Sequence, residues 1–66
     1  MDRTEQLEQA REAVEEAQRL AREAHRHVAS NPMASTTLAA ASAAWADVAR
    51  THAAIAALLP DTTTEA

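Results

Sequence analysis

From Leu7 onward the apolar residues of the N-terminal half fall at Leu7, Ala10, Val14, Ala17, Ala21, Ala24 and Val28. Steps of three and four alternate without a slip, the a/d seam of a heptad repeat, and they predict an amphipathic helix over about 3–29. Ala13 and Leu20 lie beside the seam and widen it to the stripe expected of a bundle helix. Asp2 followed by Glu5 fits a capping box at its start, with Thr4 as a rival cap. Glu15 and Arg19, and Arg19 and Glu23, stand at i,i+4 spacing, where each pair contributes about 0.3 kcal/mol.

Ser30-Asn31-Pro32 interrupts the pattern. Proline pushes the residue before it out of the α region, Asn31 can cap a new helix, and Pro32 fits a first helical position. A second helix is therefore predicted over about 32–59, with Ser35 as a rival start and Pro60 as its stop. Its seam reads Leu38, Ala41, Trp45, Val48, His52, Ile55 and Leu59. So short a connection makes the two helices antiparallel neighbours. Folding the chain about residues 30–31 sets Trp45 opposite Ala17, Ile55 against Leu7 and Leu38 against Ala24. Residues 1–60 then form one helical hairpin domain, and 61–66 a disordered polar tail with no apolar residue large enough to hold it down.

The segment from Leu38 to Leu59 sets the main constraint. Half of it is Ala, it holds the only Trp, and Asp47 and Arg50 are its only formal charges. Alanine is an excellent helix former, but a helix so apolar around its circumference needs cover on more than one side. A second stripe, Ala39, Ala43, Ala46, Arg50, Ala53 and Ala57, runs roughly opposite the Trp45 seam. It is either exposed helix-forming alanine or the place where a second copy packs, with the second helix sandwiched between.

Composition narrows the class. The chain has 66 residues, no Cys and no Gly. Absent glycine argues against strand-and-turn folds, and richness in Ala, Glu, Arg and Leu marks an all-α protein. A core this small supplies about 3–5 kcal/mol unless something staples it. With neither disulfide nor thiolate metal site available, self-association is the remaining staple: homodimerisation that completes a four-helix bundle. Lysine is missing while Lys and Arg together number 6, a codon bias rather than chemistry. The formal charge of −4 stands against nucleic acid, which asks for a basic stripe. MDRTEQ carries no signal pattern, and Asp47, Arg50 and His52 interrupt the long apolar stretch, so a cytoplasmic protein without a membrane span is expected.

Candidate chemistry is sparse. His25 and His27, two residues apart on a helix, point about 200° apart and cannot chelate one ion as an i,i+4 pair does. His52 occupies a seam position, either as a core histidine bonded to Gln6 or a carboxylate, or as a pH-sensitive element at an interface. Ser35, Thr36, Thr37 and Thr51 have no His–acid partnership, and a phosphate loop is impossible without glycine. No catalytic, cofactor-binding or metal-ligating residue is predicted. Asp47 and Arg50 are expected to pair with each other or across an interface.

Trp45-Ala46-Asp47-Val48-Ala49-Arg50-Thr51-His52, preceded by a heptad-patterned Glu/Arg helix, resembles short uncharacterised alanine- and arginine-rich helical hairpin proteins of actinobacterial type. That resemblance covers most of the chain and implies a helical hairpin without an activity. The hairpin length is similar to the Rop-type RNA-binding bundles, but their basic RNA-facing residues are lacking here. The secreted WXG-type hairpins place Gly two residues after Trp, where this chain has Asp47. The expected function is a non-enzymatic interaction protein, of the adaptor or small-regulator kind, whose partner is itself or another helical protein. The alternatives are a Rop-like nucleic-acid-associated regulator and an antitoxin-like inhibitor completed by its target. The residues expected to carry core and interface are Leu7, Val14, Leu20, Leu38, Trp45, Val48, His52, Ile55 and Leu59, together with the second stripe.

Overall fold

The computed structural model describes residues 1–60, so the expected tail at 61–66 lies outside the described residues. It is all-helical: α1 (Arg3–His27) and α2 (Pro32–Leu58) pack against each other as a hairpin. The start of α1 is closed by the capping box, in which the Glu5 backbone N–H donates to Asp2 Oδ1 at 2.8 Å and the Asp2 N–H donates to Glu5 Oε1 at 3.4 Å. Its last turn carries His25, Arg26 and His27, basic or neutral groups that suit the carbonyl end of a helix. The Asn31 N–H donates to the His27 carbonyl at 2.8 Å and draws the chain round. Asn31 then caps α2, its Oδ1 accepting from the Ala34 N–H at 3.2 Å, with Pro32 in the first turn. Each helix ends one or two residues before its expected limit, within the ordinary fraying of helix ends.

The contact between the helices is made of small residues. Ala10, Ala13, Ala17 and Ala24 of α1 are buried with Leu20 and Gln6, facing Ala49 and Ala56 of α2. On α1 this is a clean heptad stripe, but rotated one residue from the expected seam. Leu7, Val14 and Val28 lie outside it, 47%, 42% and 58% exposed. On α2 the stripe runs through Ser35, Leu38, Ser42, Ala49, His52, Ala56 and Leu59. Trp45 stands on the line of Leu38, His52 and Leu59 yet stays 42% exposed. Val48 and Ile55, on the next line to one side, stay 40% and 39% exposed. Of the large apolar residues expected inside, Leu20 is buried and Leu38 and Leu59 are half-buried. Leu7, Val14, Trp45, Val48 and Ile55 are not core residues of this hairpin.

Two hydrogen bonds explain the choice. Ser42 donates from Oγ to the Ala17 carbonyl, and Ser35 to the Ala24 carbonyl, both at 2.7 Å. A short hydroxyl that reaches the backbone of a neighbouring helix requires the two axes to run close, and bulky seam residues would hold them apart. The same bonds set the register. Ser42 rather than Trp45 faces Ala17, and Ser35 rather than Leu38 bonds to Ala24, so the hairpin turns about residues 29 and 30 instead of 30–31.

Candidate interaction surface

A contact line of alanines leaves two flanks. On the first, Leu7, Val14, Ala21 and Val28 repeat every seven residues along α1, nearly one straight line on a helix of 3.6 residues per turn. Ala39, Ala46 and Ala53 repeat the same way along α2. An open groove of ≈ 330 Å³ joins the two lines, with Val14 and Ala21 on one wall and Ala46 and Arg50 on the other. The second alanine stripe therefore does not run opposite the hairpin contact. It lies directly beside it: Ala39, Ala46 and Ala53 flank the contact, and Ala43, Arg50 and Ala57 stand one position further out. All but the half-buried Ala46 are exposed.

The second flank carries Trp45 and Val48, with Ala41 and Ile55 on the same line as Val48. Its facing wall is polar. A groove of ≈ 280 Å³ there is lined by Gln9, Glu12 and Glu16 of α1 opposite Trp45 and Val48. The two flanks thus differ in kind, one mainly apolar with Gln18 and Arg50 at its rims and the other aromatic against acidic.

Charges are settled within each helix. Arg19 turns to Glu16, through Nε at 3.2 Å and a closer Nη2 contact, rather than to Glu15 or Glu23 as expected. Glu23 pairs instead with Arg26, and its other oxygen lies 3.9 Å from His27 Nε2. The hydrogen bond from Arg19, with its positive charge adding to the effect, holds the Glu16 carboxyl below the usual carboxylate range, and the guanidinium is raised in return. Arg50 pairs with Asp47, one turn back, and both side chains stay largely exposed.

Each histidine has a place. His25 is exposed on the surface of α1, and His27 rests beside Glu23. Among the described residues no group of three or more His, Cys, Asp or Glu gathers as metal ligands do. His52 is half-buried in the helix contact, its Nδ1 2.5 Å from Gln6 Oε1. That amide oxygen only accepts, so the imidazole Nδ1–H is the donor. An open depression of ≈ 550 Å³ lies among Arg19, Arg22, Arg26 and their neighbours on α1 alone. Among the described residues no helix is long and apolar enough to cross a membrane.

The surface residues that sequence reasoning misses are the companions of the second alanine stripe. Bulk and periodicity place Leu7, Val14 and Val28 inside the hairpin, yet they share a flank with Ala39, Ala46 and Ala53. Their common seven-residue spacing is the available signal. No protein-family model, curated protein or solved structure matches this chain.

Proposed function

We propose that this chain is a non-enzymatic helical interaction protein whose working state is a homodimer, two hairpins stacked along the mainly apolar flank as a four-helix bundle. One observation carries the reading. The hairpin's own contact buries alanines and a single leucine, while Leu7, Val14, Val28, Trp45, Val48 and Ile55 remain 39% to 58% exposed. A buried methyl contributes about 0.8 kcal/mol, against roughly 1.5–3 kcal/mol for a buried Leu, Ile or Val side chain. Close to half of the surface of these large side chains is thus left uncovered within one hairpin. A flank formed by two helices about 40 Å long and 20 Å across offers about 800 Å², the area one partner contributes to a standard interface.

Stacking on this flank covers the Leu7, Val14 and Val28 line together with Ala39, Ala46 and Ala53. This reading favours a scaffolding, adaptor or small regulatory role over catalysis. Sedimentation equilibrium on the full chain is the direct test, with twice the 7.1 kDa chain mass expected. A compact helical monomer at micromolar concentration would refute the homodimer, and a poorly packed monomer would favour completion by a different protein.

A further inference from the structure

The distribution of charge along α1 bears on how a second copy sits on the apolar flank, an inference that rests on the homodimer reading. We propose that the two copies are related by a two-fold axis beside residues 17 and 18, with α1 lying antiparallel on α1. The acidic half of each then faces the basic half of the other.

A two-fold contact needs a patch complementary to itself, and the α1 line of the flank is one. Reversing the line Leu7, Val14, Ala21, Val28 about its own midpoint sets Leu7 against Val28 of the second copy and Val14 against its Ala21. Every apolar position meets an apolar position.

The charges fall into place with it. Residues 2–16 hold six acids and two Arg, whereas 17–30 hold three Arg and one Glu. The helix dipole accounts for acids in the first turn only, so it covers Glu5 but not Glu8, Glu12 or Glu15. Arg11, Gln18 and His25 border the Leu7 line on its outer side. Glu8, Glu15 and Arg22 repeat every seven residues one position further round, on the side of α1 turned away from the hairpin contact. These three and His25 are exposed, and within the hairpin their side chains make no hydrogen bond or ion pair with any described residue. In the reversed register Glu15 falls two residues, about 3 Å along the axis, from Arg22 of the second copy. Glu8 falls equally close to its His25. A parallel arrangement would set acid on acid. Stacking α1 on the partner's α2 would bring these side chains to a helix almost without charge.

Charge reversal tests the arrangement without touching the hairpin contact. Two variants are compared with wild type by sedimentation equilibrium and circular dichroism: Glu8→Arg with Glu15→Arg, and Arg22→Glu with His25→Glu. Each variant alone now opposes like charges and should self-associate at least tenfold more weakly than wild type. Mixed in equal amounts they should form a one-to-one heterodimer with wild-type helicity, because the basic side of one complements the acidic side of the other. Variants that dimerise as wild type does would overturn the α1-on-α1 arrangement while leaving the homodimer standing. Weakened variants that do not recover on mixing would overturn it as well. A monomeric wild type would remove the homodimer and this inference with it.

Discussion

His52 and Gln6, 46 residues apart in the chain, meet across the hairpin with Nδ1 and Oε1 2.5 Å apart. Gln6 is 8% exposed, the most buried polar side chain of the contact. The pair sits in a contact made mostly of alanine, and that matters for register. Identical methyl groups make one layer of the contact much like the next, so sliding α2 along α1 by a heptad would cost little in packing. The His52–Gln6 layer is not interchangeable with its neighbours, nor are those of Ser35 and Ser42. A slip would leave a buried amide and an imidazole without partners.

Removing one member should therefore be worse than removing both. Gln6→Leu or His52→Leu alone is expected to cost about 1–3 kcal/mol, the desolvation penalty of the group left behind. The double variant, which replaces a polar layer by an apolar one, should recover most of that loss. Denaturant melts of the four proteins close the cycle. Additive losses would mean that the two side chains do not depend on each other.

Much of the fold is legible because its ends carry explicit chemistry. Asp2 with Glu5 and Asn31 with Pro32 satisfy helix-end N–H groups in ways few other residues can, and both caps form where expected. The face that packs is not legible. Two stripes compete on α1, sharing Ala10, Ala17 and Ala24. They differ by one residue elsewhere, and bulk favours the stripe with Leu7 and Val14. Close approach decides for the stripe with Ala13 and Leu20, through serine hydroxyls that bond to carbonyls across the contact. Ser35 and Ser42, which have no catalytic partner, carry the overlooked signal. The same rotation moves the candidate interface, because the residues expelled from the contact become the flank.

Trp45 tests that rotation directly. At 42% exposure beside Glu12 and Glu16, it is not the centre of a core. Trp45→Ala should cost about 1–2 kcal/mol instead of the 3–5 expected for a buried aromatic. Wild-type Trp fluorescence should be readily quenched by acrylamide, in the dimer as well, because the other flank is the one covered. Emission shielded from quencher, or a melt abolished by the substitution, would return Trp45 to an interface.

Bulk added at two neighbouring positions should have opposite consequences. Ala13 is 1% exposed within the contact, whereas Val14 faces the flank. Ala13→Leu is expected to destabilise by about 1–3 kcal/mol or more as the helices are forced apart. Val14→Leu should be close to neutral. Thermal melts of the two variants compare the stripes directly, and the reverse order would restore the Leu7–Val14 seam.

The Glu16–Arg19 pair predicts a pH effect of definite sign. The Arg19 hydrogen bond depresses the folded carboxyl pKa, so the pair's contribution is present above the unfolded carboxylate pKa and disappears as pH falls through the folded one. Arg19 is exposed and Glu16 partly so, and solvent screening keeps the contribution small. A carboxyl titration followed by NMR should show Glu16 ionising below the usual carboxylate range. Arg19→Ala should move it back up, and the melting difference between that variant and wild type should vanish in acid. An unmoved Glu16 titration would show that the pair is not maintained in solution.

The alanine flank itself is tested by placing charge on it. Ala46 and Ala53 stand on one line of α2, outside the buried contact and away from the His52–Gln6 layer. Replacing both with Glu costs about 0.4 kcal/mol each in helix propensity and adds no bulk inside the hairpin. If the flank faces water, the double variant should keep the wild-type mass and helicity and gain solubility. If a second copy covers it, four new carboxylates enter the region where two hairpins approach most closely. Each must then be desolvated without a partner, which costs several kcal/mol per ion. The dimer should dissociate to the 7.1 kDa chain. Helicity should fall with it, because a contact of alanines holds a lone hairpin only marginally. Light scattering and circular dichroism read mass and helicity from one sample. A loss of both supports assembly through this flank. A dimer unchanged in mass would move the interface to the Trp45 side, where Glu12 and Glu16 would then become the residues to reverse.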